Sequence, residues 1–462
     1  MKRFSPALLG HAEALLSQLL RFDAPADSIV SRYFREHRQM GGSDRAFVAE
    51  TVYAVLRRKR SLLARCGTRA ESRALVLAAL FCGQGINLRE LEPVLRNGES
   101  EWRAGVKRVD SAALPAAVRH DLPDWLETTL AAQYEPEALE ALAASLVQGA
   151  PLDLRVNTLK AERGEVLARL RADGIAASEC PYSPYGIRLE GKPALARHPL
   201  FLDGSVEVQD EGSQLLGLLV QPRRGEMVAD FCAGAGGKTL LLGALMRSQG
   251  RLYAFDVSEK RLAKLKPRLA RSGLSNVHPV RIEREHDAKV KRLAGKLDRV
   301  LVDAPCSGLG TLRRNPDLKW RQSEASVAEL TAKQASILAA ASTLVKPGGR
   351  LVYATCSLLA AENREVVMAF LAAHPDFALL DAGEILARQG VAGLSGQSEG
   401  MLQLLPSLHS TDGFFAAVME RRCSAPLRST RLASLRSASP ASPSWSADPA
   451  APLRCAALTP TR

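Results

Sequence analysis

None of the eight cysteines, at positions 66, 82, 180, 232, 306, 356, 423 and 455, forms a C-x-x-C pair with another, and their spacing is irregular. That pattern supports neither a zinc site nor a disulfide framework. A cysteine here is read as a small buried hydrophobe unless its neighbours give it chemistry. No run of about 18 apolar residues of the kind that crosses a membrane occurs. The opening MKRFSPALLG is followed by His11, Glu13 and Gln18, not by a signal-peptide core, so a soluble cytoplasmic protein is the expectation. Acid is in short supply: 49 Asp plus Glu against 62 Lys plus Arg leave +13 and a pI near 9.5. Such an imbalance points to a polyanionic partner, with nucleic acid foremost. The 462 residues allow two or three domains, and 46% hydrophobic with 24% charged residues excludes a wholly disordered chain.

Most of the chain divides by texture. The last 40 residues hold eight Ser, six Pro and nine Ala, with five Arg against one Asp, so 423–462 is expected to be a disordered basic tail. It carries +4, leaving +9 on the remainder. Residues 1–147 read as helical: Leu8, Leu9, Ala12, Leu15, Leu16, Leu19 and Leu20 form one stripe, Phe47, Val48, Val52, Val55 and Leu56 another. Arg57-Arg58-Lys59-Arg60 follows that second helix, as a solvated helix end or as RNA phosphate contacts. Alternation in LDLRVN (152–157), a helix at 162–172 and short punctuated strands suggest a small α/β module over 148–222. Beyond it, strands are expected at 227–231, 251–255, 277–281, 299–303 and 349–354, with helices near 238–248, 258–272, 323–345 and 361–373. That alternation predicts an α/β, doubly wound parallel sheet over 223–422, its edge closed by a hairpin of 401–405 and 413–419.

Within that sheet, MVADFCAGAGGKT (227–239) runs from an apolar strand through a glycine-rich turn into a helix, as a backbone must to approach a ligand. A Walker A loop would need glycine at Cys232, and a dinucleotide fingerprint would need it at Thr239. What remains is a class I S-adenosylmethionine site, whose first glycine-rich loop wraps the methionine part of the cofactor. Asp256, ending the next strand, then has two oxygens for a ribose diol, and Asp287 is placed to meet the adenine amino group.

Two further strands run into cysteines: RVLVD into Ala304-Pro305-Cys306-Ser307, and Leu351–Thr355 into Cys356-Ser357. Carboxyl ends of parallel strands are where this architecture binds ligands. Carbon 5 of a pyrimidine is too weak a nucleophile to take a methyl group unaided, whereas a thiolate adding at carbon 6 pushes electrons to it. Two thiols divide that work, one attacking and one assisting release.

FCAGAGGKT, DAPCSGLGTLRRNPDLKW and YATCS resemble the RsmB/Nop/Sun-type RNA cytosine-5 methyltransferases, and the bacterial RsmB-like ribosomal enzymes in particular. GGSDRAFVAETVYAVLRR is similar to their NusB-like helical domain, and LRVN, VQDEGSQL and DGFFAAV extend the resemblance over roughly 1–422. The resemblance implies a Rossmann-like catalytic domain, S-adenosylmethionine as cofactor, and ribosomal RNA as partner of a monomeric enzyme. It makes Cys356 the nucleophile and Cys306 the residue assisting release, puts Asp303 between cofactor and cytosine, and implies that Cys232, Ala233, Gly234, Ala235, Gly236, Gly237 and Lys238, with Asp256 and Asp287, hold the cofactor. The family loop commonly carries proline where this chain has Gly234-Ala235-Gly236. A P-loop-like NTPase using Lys238, Thr239 and Asp303, and a non-catalytic RNA-binding protein, are the alternatives.

Overall fold

Ser5 starts the first helix of the computed structural model: its hydroxyl accepts from the Leu8 amide, and Pro6 takes the position where no amide is needed. Residues 5–83, 86, 88–395 and 399–423 are described. The tail beyond 423 lies outside them. Helices Pro6–Leu19, Ala26–Glu36, Gly42–Arg57, Lys59–Cys66, Ser72–Cys82 and Glu99–Arg108 share a leucine-rich core running from Leu8 to Val106. Ser72–Cys82 buries every side chain from Ala74 to Phe81, and so sits in the middle of the bundle. The bundle fits the NusB-like expectation.

The expected front domain 1–147 does not end with that core. Leu122, Leu126, Leu130, Leu139, Leu142 and Leu146, carried largely on helices Asp124–Ala131 and Pro136–Leu146, pack instead on Leu309, Leu312, Leu358 and Leu359. A leucine stripe states that a face is buried, not what buries it.

Three side chains of the basic cluster are engaged within the protein. Arg57 donates to the Arg313 carbonyl (3.0 Å), Lys59 lies over the Phe22 and Trp320 rings, and Arg60 bonds the Leu122 carbonyl and Asp124 (2.6 Å each). From the other side, Trp320 Nε1 donates to Leu56 O (2.9 Å) and Lys319 Nζ to Arg57 O (2.8 Å). Three of its four side chains therefore help form the seam between bundle and catalytic region.

The α/β module is an antiparallel sheet of β1 (Leu152–Val156), β2 (Ala177–Glu179), β3 (Gly186–Leu189) and β4 (Val206–Val208), in the order β2-β3-β1-β4, with helix Arg163–Ala172 on it. The next helix, Glu211–Val220, buries Leu215, Leu216, Leu218, Leu219 and Val220 against Val228, Leu301 and Val352 of the large sheet. Packing thus assigns it to the catalytic core, ahead of the boundary expected at 222.

The large sheet holds β5 (Met227–Asp230), β6 (Arg251–Asp256), β7 (Val277–Arg281), β8 (Leu297–Asp303), β9 (Val345–Thr355), β10 (Phe377–Leu380), β11 (Leu402–Leu404) and β12 (Phe414–Arg421). Its order is β10-β12-β9-β8-β5-β6-β7, with β11 beside β12; β5 to β9 are parallel, and β12 runs antiparallel to its neighbours β9, β10 and β11. The order reverses at β5, which opens a crevice at the carboxyl ends of β5 and β8. The two late runs do pair, but not as an edge: β12 inserts between β9 and an unexpected β10 and is buried over most of its length.

Candidate active site

Four strands end at one cavity of about 410 Å³. β5 delivers Phe231 and the turn Cys232–Gly236, β6 delivers Asp256, β8 delivers Asp303 to Cys306, and β9 delivers Cys356. Cys232, Ala233, Gly234, Ala235, Gly237, Lys238, Asp256, Asp303, Cys306 and Cys356 all line it; of the residues singled out above, Gly236 and Asp287 do not. Gly236 is in the left-handed region (φ +85°), and a Cβ there would lie 2.1 Å from Leu265 Cδ1, so its glycine serves packing. Asp287 caps helix Ala288–Lys291, accepting from the amides of Lys289 (2.8 Å) and Glu283 (3.0 Å), which hold its carboxyl below the usual range. From that segment it is Ile282 and Glu285 that reach the cavity, Glu285 fixed by the Ser336 hydroxyl at 2.6 Å.

Side chains tie the glycine-rich turn at three points. Asp256 Oδ2 accepts from the Gly234 amide (2.8 Å), Arg268 donates to the Ala235 carbonyl (2.7 Å), and Arg155 donates to the Gly237 carbonyl (2.7 Å) and to Gln209. Glu207 aligns Arg268 through a 2.9 Å ion pair. Arg155 is fully buried, which lowers its guanidinium to about 10. Sequence reasoning assigned no role to Arg155, Gln209 or Glu207, although LRVN and VQDEGSQL, the motifs that carry or adjoin them, were signals that these stretches meet the turn.

The cavity suits S-adenosylmethionine. Gly234 (φ +58°) has no atom within 4 Å of where a Cβ would stand, leaving its backbone open for close approach. Asp256 is 4% exposed and accepts the Gly234 and Ser258 amides, one on each oxygen, which leaves lone pairs for a diol.

Beside it lies a charged pair and a thiol pair. Lys238 Nζ contacts Asp303 Oδ2 at 2.8 Å. Burial alone would lower this amine, but Asp303, Cys356 and Asp230 together hold it above its ordinary value. Asp230, fully buried with Oδ2 taking the Thr239 hydroxyl (2.7 Å), is pushed up to about 7 by burial. Parallel pairing of β8 with β9 sets Asp303 opposite Ala354, so the two cysteine loops emerge side by side with Sγ of Cys306 and Cys356 3.4 Å apart. The Gly310 amide donates to the Cys356 carbonyl (2.8 Å) and the Gly413 amide to the Gly310 carbonyl (2.8 Å); a Cβ on Gly310 would lie 2.0 Å from Gly413 O. The bond to Cys356, burial and the charge of Glu362 raise the Cys306 thiol well above its ordinary value.

A family model described as 16S rRNA methyltransferase RsmB/F matches residues 217–420, and one for the RsmF/B-like ferredoxin-like domain matches 122–196. A protein of Synechocystis called a probable ribosomal RNA small subunit methyltransferase B is 33% identical over 440 residues, 88% of this chain and 98% of that protein. The chain belongs to the RsmB/F methyltransferase family. The crystal structure of PH0851 agrees over 91% of this chain and 100% of its own, at a TM-score of 0.72 and 25% identity. NSun6 from Pyrococcus horikoshii, solved with SFG, covers 65% of this chain and 98% of its own at a TM-score of 0.58; at 21% identity it attests the fold. RsmB/F proteins are class I, S-adenosylmethionine-dependent methyltransferases, which sets aside the NTPase and non-catalytic readings. The structure gives the reason for the first: Thr239 is fully buried and its hydroxyl is spent on Asp230. The start of the ferredoxin-like match at 122 coincides with the point where leucines leave the bundle's core for the catalytic side.

Proposed function

We propose that this protein methylates carbon 5 of a cytosine in RNA, in small-subunit ribosomal RNA, through a transient bond from Cys356 to carbon 6. The approach of two thiols to 3.4 Å at neighbouring strand ends, inside the cavity of the glycine-rich turn, carries this reading. The Synechocystis relative's name supports the RNA. S-Adenosylmethionine, when bound, supplies the electrophilic methyl group; the turn 232–238 and Asp256 hold it.

Asp303 lies on the cavity wall with Lys238 fixed against it, placed to hydrogen-bond the cytosine edge and favour addition. Cys356 sulfur adds to carbon 6, and the electron pair of the ring double bond takes the methyl group at carbon 5. Release then requires the double bond to re-form and the Cys356 sulfur to leave with its electrons, taking the Cys306 proton, while the Cys306 thiolate so formed takes the carbon 5 proton and is restored as a thiol. Cys306, held as a thiol, has its S–H within reach of that departing sulfur.

Trapping tests the assignment. Cys306→Ser is expected to methylate and then stall, accumulating a protein–RNA adduct stable on denaturing gels, while Cys356→Ser yields neither product nor adduct. An adduct with Cys356→Ser alone would exchange the two roles; normal methylation by both variants would remove the two-thiol mechanism.

A further inference from the structure

Glu362 is a carboxylate with no exposed surface, in the short turn Ala360–Glu362 ahead of helix Arg364–Ala373. It accepts four hydrogen bonds: from the Ser307 amide (2.8 Å), the Ser307 hydroxyl (2.5 Å), the Ser357 hydroxyl (2.5 Å) and Gln334 Nε2 (2.9 Å). None comes from a basic side chain. Ser307 follows Cys306 and Ser357 follows Cys356, and the two hydroxyls are themselves 3.3 Å apart. One buried anion therefore fastens both cysteine loops.

We propose that Glu362 is a positioning residue: it locks the two cysteine loops to each other and, as the negative charge on the Cys306 side, keeps Cys306 a hydrogen donor to the Cys356 sulfur, an inference that rests on the division of labour proposed above. A buried carboxylate without a cation is costly unless several donors satisfy it, and this one has four. A loop fastener alone needs no charge, since a neutral amide or a hydroxyl would satisfy serines at far lower desolvation cost. The ionisable groups around Cys306 are Cys356, Glu362 and Tyr353, whose hydroxyl donates to the Glu362 carbonyl at 2.6 Å. Lys238, with Asp303, faces Cys356. Glu362 thus takes two of its four bonds from the residue after Cys306, while the Lys238–Asp303 pair faces Cys356, which makes a chemically symmetric pair unequal.

The test separates charge from clasp. In the Cys356→Ser background, alkylation of Cys306 by iodoacetamide is followed by mass spectrometry between pH 6 and 10, with Glu362 or with Glu362→Gln. Removing the charge is expected to make Cys306 react roughly tenfold faster at pH 8 and to displace its curve to lower pH. With both cysteines present, Glu362→Gln is expected to bind S-adenosylmethionine within about twofold of the parent yet accumulate the stalled RNA adduct. Ser307→Ala and Ser357→Ala, which keep the charge, are expected to slow release without moving the alkylation curve, and they carry the clasp test should Glu362→Gln fail to fold. Coincident alkylation curves would overturn the charge role, and wild-type release in both serine variants would overturn the clasp. A failed two-thiol mechanism would show separately, as normal methylation by Cys306→Ser and Cys356→Ser.

Discussion

The front bundle and the catalytic sheet both bury leucine-rich cores, yet they treat charge in opposite ways. In the bundle, buried Glu99 meets Arg73 through two bonds of 2.6 and 2.8 Å, so the charge is cancelled where it is buried. Around the cavity, Asp230 and Glu362 are just as deep but are held by hydroxyls and amides, and Lys238 stands against a half-exposed Asp303. Uncompensated buried charge costs several kcal/mol in general, and a core under selection for stability alone sheds it. The contrast separates the region that holds the molecule together from the region that does chemistry.

The largest expected effect tests that separation from the chemical side. Cys356→Ser should lower methyl transfer on the order of a thousandfold or more, while its melting temperature stays near that of the parent because one sulfur is exchanged for oxygen at a half-buried position. Radiolabel transfer and calorimetry on the same samples decide it; a parallel loss of fold would blur the contrast. The reverse case is Leu77→Ala, in the central bundle helix with no exposed surface. It should cost about 2–5 kcal/mol in denaturant unfolding through the lost methyl groups and the cavity they leave, with S-adenosylmethionine affinity unchanged. A shift in that affinity would mean that bundle and cavity are coupled through the seam. Asp256→Ala comes next, weakening S-adenosylmethionine binding by about 1.5–3 kcal/mol in calorimetry, since a charged acceptor is lost and the Gly234 amide loses its anchor. Unchanged affinity would place the ribose elsewhere.

Periodicity makes the bundle's stripes, the five parallel strands and the placing of both cysteines at strand ends legible in the sequence, because each is local: helical spacing, apolar run, then a turn. Long-range partners are not. The unbroken apolar run Phe414–Met419 signals burial on both faces but does not name β9 and β10 as its neighbours. Leu126 and Leu142 lie on amphipathic helices whose stripe cannot name a partner, so they fell to the wrong core. Asp287 and Glu285 stand two residues apart in a loop, where no period decides which side chain faces the cavity. A single Glu before a helix ordinarily reads as a capping residue, and three of the four bonds to Glu362 come from segments 55 and 28 residues away.

The smallest expected effect lies on the seam itself. Lys319 is buried there, its amine on the Arg57 carbonyl, and burial lowers it to about 8 despite the attraction of Asp121. In the unfolded chain a lysine titrates near 10.4. Below pH 8 both states are protonated and Lys319 adds no slope. Between about pH 8 and 10 the unfolded chain binds a proton that the folded one has released, so stability gains from this group as pH rises, by at most about 1.4 kcal/mol per pH unit. Lys319→Met keeps an apolar stem beside Trp320 and removes the titration. The difference in unfolding free energy between parent and variant should therefore be flat from pH 6 to 7.5 and then grow by about 1 kcal/mol in the parent's favour toward pH 9. A difference that stays flat up to pH 9 would mean that the amine is held charged in the seam. Bundle and sheet would then share a true buried cation, and the contrast between a neutralised scaffold and a charged cavity would no longer stop at the seam.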